Sequence, residues 1–165
     1  MSVLTDYTDE EQFLLMEGPR LGAVVVSAAS PGRGNETVSE GFAAIQYAMS
    51  RTGEFLDNTL ISSIQFAVEQ LGKTDHKFAD YSKLATAPGA KDHALAQLGQ
   101  LADLLDRKST PAEAAGYKQW VINAATLASE AGKEGGNFFG RGAVLVNDAE
   151  RAALVEITAT LRMQS

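Results

Sequence analysis

Cysteine is absent from the chain, which removes disulfide frameworks, thiol nucleophiles and thiolate metal sites at once. Histidine is nearly so: the two present are His76 and His93. Three residues before them stand Lys73 and Ala90, so the Glu-x-x-His pairs of a di-iron carboxylate bundle are missing. Isolated histidines without cysteine also make a closed zinc site a poor fit. Aromatic residues make up 7% of the chain while hydrophobic residues reach 45%, so the core must be built from aliphatics and alanine. Positive charge is scarce as well. Lys+Arg number 14 against 21 Asp+Glu, a net charge of -7. The cations are scattered singly, which argues against duplex nucleic acid or an anionic membrane as the main partner. The longest strongly apolar stretch, Leu21 to Ser30, is too short to span a bilayer. The opening residues carry Asp6, Asp9, Glu10, Glu11 and Glu17 with no basic residue before Arg20, the reverse of a signal-peptide start. A cytoplasmic protein is expected, and 165 residues suit one domain with a real core.

What is there is a succession of helix signals. The best specified runs from Thr110 to Gly132. Thr110 is placed as an N-cap, Pro111 fits the first helical position, and Glu113 completes a capping box. Tyr117, Val121, Ala124, Ala128 and Ala131 share one face, with Trp120 and Leu127 on its flank. So many alanines on the inner face let neighbours approach closely, and this helix is expected to be the central post of a bundle.

The rest of the chain reads similarly. Thr8 and Glu11 make a second box, opening a helix through Phe13, Leu14 and Leu15. Gly18-Pro19 either kinks that helix or ends it and starts another. LGAVVVSAAS is uncharged and reads as a helix buried almost all round, because a lone strand would have no partner. Residues 31–36 form a loop by composition. Thr37 and Glu40 then predict a box for a helix carrying Phe42, Ile45 and Met49 on its inner side, ending near Gly53. A further helix is expected from Glu54 to Leu71, with Leu56, Leu60, Ile64, Ala67 and Leu71 inward. Residues 73–90 are an irregular connector that can pack one short turn through Phe78, Tyr81 and Leu84. Ala87-Pro88-Gly89 closes it as a turn. Leu95, Leu98, Ala102 and Leu105 mark the next helix. Asn147 and Glu150 cap a terminal helix through Leu154, Ile157 and Leu161. The expectation is all-α, a single helical domain over residues 1–165 with six or seven helices and residues 1–7 a flexible N-terminus. Both halves carry a small-residue helix, a glycine loop, a cap signal and an amphipathic helix, although the residues align poorly.

Catalytic signatures are missing. There is no G-x-S-x-G and no H-E-x-x-H. The G-x-G pairs at Gly32/Gly34 and Gly140/Gly142 follow no strand and continue into no phosphate-binding pattern. Residues 31–40 and the second glycine loop lack the spaced aspartates of a calcium loop. Phe138 and Phe139 stand out, set with Arg141 among five glycines. They either plug the end of the bundle or form an exposed aromatic anchor of the kind that interface hot spots favour. The acidic N-terminus is a solvated helix start or a docking face for a basic partner.

The tail, from Pro111-Ala-Glu-Ala through Trp120-Val to Asp148-Ala-Glu150-Arg-Ala-Ala-Leu154, resembles an uncharacterised all-helical bacterial family. Leu14 to Glu40 resembles the tellurite-resistance TerB-like helical domains, where a small-residue helix runs into an acidic glycine loop. The resemblance implies an interaction module associated with metal-linked stress rather than an enzyme. The loop here is Ser30-Pro31-Gly32-Arg33-Gly34-Asn35-Glu36, without the aspartate expected ahead of the glycine, so no metal ligands carry over. The expected function is a non-enzymatic interaction or stress-associated module, able to self-associate. Its partner is another protein or a second copy, with no nucleic acid, no membrane insertion and no cofactor. Phe138, Phe139 and Arg141 are the candidate interaction surface, and no catalytic or metal residues are assigned. The alternative is a small-ligand or metal-ion-binding helical protein of the TerB-like type. The first predicts a contiguous apolar surface patch, the second a carboxylate cluster facing a cavity.

Overall fold

The computed structural model of the chain describes residues 1–30, 34–50, 53–73, 81–131 and 147–163. Among them stand seven α-helices and no strand: α1 Asp9–Ala29, α2 Gly34–Met49, α3 Thr59–Lys73, α4 Tyr81–Thr86, α5 Ala90–Lys108, α6 Pro111–Ala131 and α7 Asp148–Thr160. Three of the four expected cap boxes open their helices. Thr8 accepts from Glu11 N while Glu11 Oε2 accepts from Thr8 N, and Thr110 with Glu113 and Asn147 with Glu150 do the same. The fourth is corrected. α2 is already helical at Gly34, so Thr37 and Glu40 lie inside it, both buried. The helix after it also starts later than expected. A short 3-10 turn occupies Gly53–Phe55, and Asn58 is the N-cap, its Oδ1 accepting from Ile61 N at 3.2 Å.

The middle of the bundle is α1 rather than α6 alone. α1 packs against each of the other six α-helices, and every residue from Gly18 to Ser27 is buried. Gly18-Pro19 neither ends nor splits it. Pro19 has no N–H to give the carbonyl of Leu15, which a helix interior would normally satisfy. The Tyr117 hydroxyl of α6 donates to that carbonyl instead. Gly18 is what lets it in, since a Cβ there would collide with the same hydroxyl and stand 3.1 Å from Leu101. One turn on, a Cβ at Gly22 would meet Val121 at 3.1 Å and Ala125 at 3.3 Å. α1 and α6 thus cross at close range, and Ala23, Ala44, Ala124 and Ala128 bring α2 into the same contact.

That close approach reverses the expected orientation of α2. Thr37, Glu40, Gly41, Ala44 and Ala48 face inward, and Phe42 and Ile45, expected inside, are 60% and 44% exposed. Leu56 likewise lies outside, 62% exposed. Bulky side chains would have held α2 away from α1 and α6, so small ones took the inner face. The N-terminus is corrected too. Residues expected to be flexible are packed, with Leu4 and Tyr7 buried, Leu4 N donating to Ser63 Oγ at 2.9 Å and Ser2 N to Glu113 Oε1 at 2.6 Å.

Candidate binding groove

α1 is covered by α6 on one side, while its first four turns border a groove closed by the end of α3, α4, the turn after it and the start of α5. The groove encloses about 950 Å³. Its walls are mainly apolar: Leu14, Met16, Leu21 and Val24 from α1, Leu71 from α3, Leu84 from α4, then Ala87, Pro88, Ala90 and Ala94. The turn is held by Ala90 N donating to Ala87 O at 3.0 Å, with Gly89 at φ 74, the left-handed conformation glycine adopts without strain. Along α1 the lining runs from Asp9 to Val24, about 22 Å at the helical rise.

Two charged side chains interrupt the apolar wall. Glu17 and Arg20 pair at 3.3 Å, with their side chains 12% and 10% exposed. Burial pushes the Glu17 carboxyl above its ordinary range, and the charge of Arg20 only partly opposes this. The pair also borders a second apolar cavity of about 100 Å³, with Pro19, Ile64, Val68, Tyr81 and Trp120. It stands where the two spaces meet. At the groove's outer end are Asp9 and the 59%-exposed Phe13. His93 lies on its α5 edge, exposed, in the first turn of the helix. The other histidine, His76, lies outside the described residues.

A separate polar cluster ties α1, α2 and α4 together. Ser27 Oγ donates to Glu40 Oε2 and lies 2.9 Å from the Tyr81 hydroxyl. Burial raises the Tyr81 pKa, the Ser27 hydrogen bond works against it, and the Glu40 charge adds to it. Gly41 admits the Tyr81 ring, which a Cβ would strike. Serine and carboxylate are in contact, but neither Ser27 nor Glu40 lines the groove or the smaller cavity. The arrangement fastens helices together.

A third cluster is centred on Glu113, 7% exposed. Its carboxylate accepts from Ser2 N, from Thr110 N at 3.1 Å and Oγ1 at 2.8 Å, and from Thr59 Oγ1 at 3.2 Å. Burial by itself pushes the Glu113 carboxyl up, but these donors outweigh it and bring the pKa to about 2 from the usual 4.5.

Phe138, Phe139 and Arg141, singled out from the sequence, lie outside the described residues. Among the described residues no group of three or more His, Cys, Asp and Glu side chains could hold a metal ion, and no helix is long and apolar enough to cross a membrane. Sequence reading missed the groove because it is assembled from four separate elements. The Glu17–Arg20 spacing was visible as an i,i+3 pair of opposite charges, but its burial was not. Comparison with protein-family models, curated proteins and solved structures finds no match to this chain.

Proposed function

We propose that this protein is a non-enzymatic interaction module whose groove takes an amphipathic helix with a basic polar face from a partner protein. The observation that carries the reading is the groove itself: an apolar trough about 22 Å long, by the helical rise, is elongated for a compact metabolite and suits roughly four turns of helix. Helices dock in such troughs through apolar residues at i, i+3, i+4 and i+7. Charge selects the kind of helix. Asp9, Glu10 and Glu11 form the first turn of α1 at one end of the groove, and the chain carries a net charge of -7. Asp9 borders the groove and Glu10 stands beside it, while Glu11 is paired with Lys108; acidic charge at that end favours encounter with a cationic partner. A TerB-like module would act in the same way, through partners, and the stress association and cytoplasmic location rest on that resemblance and on composition.

The test is fluorescence anisotropy with two labelled peptides that share one apolar helical face but carry lysines or glutamates on the other. Binding is expected for the basic peptide and not for the acidic one. It should weaken as salt rises, and Leu84→Glu should weaken it at least tenfold. Equal binding by the Leu84→Glu protein, or none by the parent, would overturn the reading. A second reading, a small amphiphilic ligand, is favoured by the Glu17–Arg20 pair, which offers a polar anchor inside an apolar space. Saturable binding of a single-chain amphiphile in place of the peptide would select it.

A further inference from the structure

On the outer face of α2, Val38, Phe42 and Ile45 are 56%, 60% and 44% exposed, and Met49 is half-buried in line with them. They recur at i, i+4, i+7 and i+11, one stripe along the helix, about 16 Å long. Between residues 37 and 50 the one charged residue is Glu40, and it is turned inward to Ser27. The exposed face over that span therefore carries no charge at all, in a chain whose net charge is -7. We infer that this face is a homodimer interface, in which α2 packs antiparallel against α2 of a second copy about a two-fold axis.

Two features select a second copy over other occupants. The 4-3-4 spacing reads the same in both directions. Reversing the helix sets Val38 against Met49 of the second copy and Phe42 against Ile45 of the second copy, as a self-complementary two-fold contact requires. Charge is the second. Two acidic chains repel wherever charged surfaces meet, and this uncharged face is where they can touch without that cost. A basic protein would find no carboxylate here to pair with. A membrane-surface helix would carry lysine or arginine beside its apolar face, and none stands between residues 37 and 50. Charge depletion with an aromatic at the centre is also the composition of interface cores. The stripe does not end at Met49, because Ile45 and Met49 border the apolar cavity lined by Ile64 and Val68.

The absence of cysteine provides a direct test. Ile45→Cys introduces a single thiol on the stripe next to the proposed axis, while Val155→Cys on α7 introduces one at a 65%-exposed position as a control. Under mild oxidation the first should form a covalent dimer much faster than the second. Sedimentation of the full chain over a micromolar concentration series should show a dimer, and Phe42→Glu, which brings two like charges close to the axis, should raise the dimer dissociation constant at least 100-fold. The dilute Phe42→Glu monomer should keep the helical circular dichroism and melting temperature of the dilute parent. A parent that stays monomeric, a Phe42→Glu protein that dimerises unchanged, or equal cross-linking of the two cysteine variants would overturn the proposal. So would a large loss of melting temperature in dilute Phe42→Glu, since the stripe would then be covered by its own chain.

Discussion

α1 and α6 are both 21 residues long, and both open with threonine, two residues and glutamate in a closed capping box. Both close with a buried serine near the end. There the likeness stops. In the α1 box Glu11 sits at the surface, bonded to Thr8 N and paired with Lys108 at 2.6 Å. In the α6 box Glu113 is buried and gathers the N-terminus, α3 and its own cap onto one carboxylate. The serines part in the same way, Ser27 reaching across to Glu40 and Tyr81 while Ser129 donates back to Thr126 O at 2.6 Å. One local code ends helices in both places. What packs over the end decides whether the code is a cap or a clamp.

The largest effect is expected where the two boxes differ most. Glu113→Ala removes the acceptor for four donors, some of them buried, and should cost about 2–4 kcal/mol in urea denaturation. Glu11→Ala, at the surface, should cost clearly less. Equal midpoints for the two variants would break the distinction between cap and clamp. The pH dependence sharpens it. The Glu113 carboxyl titrates at about 2 when folded, against an ordinary 4.5. Its contribution is therefore complete above pH 4.5 and is lost as the pH falls toward 2, because below that window folded and unfolded chains are both protonated. The parent should lose stability across that window more steeply than Glu113→Gln. Parallel pH profiles would show that the Glu113 charge is not what the donors hold.

Next in size is the joint between the two helices. Gly18→Ala drives a methyl into the Tyr117 hydroxyl and toward Leu101, and should cost about 1–3 kcal/mol despite the higher helix propensity of alanine. Tyr117→Phe strands the Leu15 carbonyl and should cost about 1–3 kcal/mol. The double variant should cost less than the sum, because removing the hydroxyl makes room for the methyl. Strict additivity would mean that the proline gap in α1 is not sealed by Tyr117.

Helix positions were legible because caps and apolar period are local. Thr8, Thr110 and Asn147 each announce a helix that forms. Thr37 carries the same signal and does not start one, since α2 begins at Gly34 in spite of it. The inward face of α2 was misread for a related reason. Apolar period says which face is greasy, but the distance between α2, α1 and α6 is a property of three helices, and at close range alanine and glycine displace phenylalanine. The sequence offered a clue in the dense alanines of α6, whose close approach was anticipated without its consequence for α2. The groove was less legible still. Leu71, Leu84 and Ala94 come from separate elements, and nothing local marks them as walls of one space.

The smallest effects belong to the cap threonines, and they isolate what the boxes share. Thr8→Ala and Thr110→Ala each remove an acceptor for the N–H three residues on, held at 3.4 Å and 3.3 Å in the two boxes. Each loss should cost about 1 kcal/mol. Thr110→Ala also deprives Glu113 of one donor, so it should be the costlier by a few tenths of a kcal/mol, on the order of a weak neutral hydrogen bond. In the Glu113→Ala background that excess has no acceptor left and should vanish, leaving the two threonines equal. Thermal melts of the two single variants and of Thr110→Ala with Glu113→Ala decide it. An excess that persists without the carboxylate would place the difference between α1 and α6 in the caps themselves rather than in what is packed around Glu113.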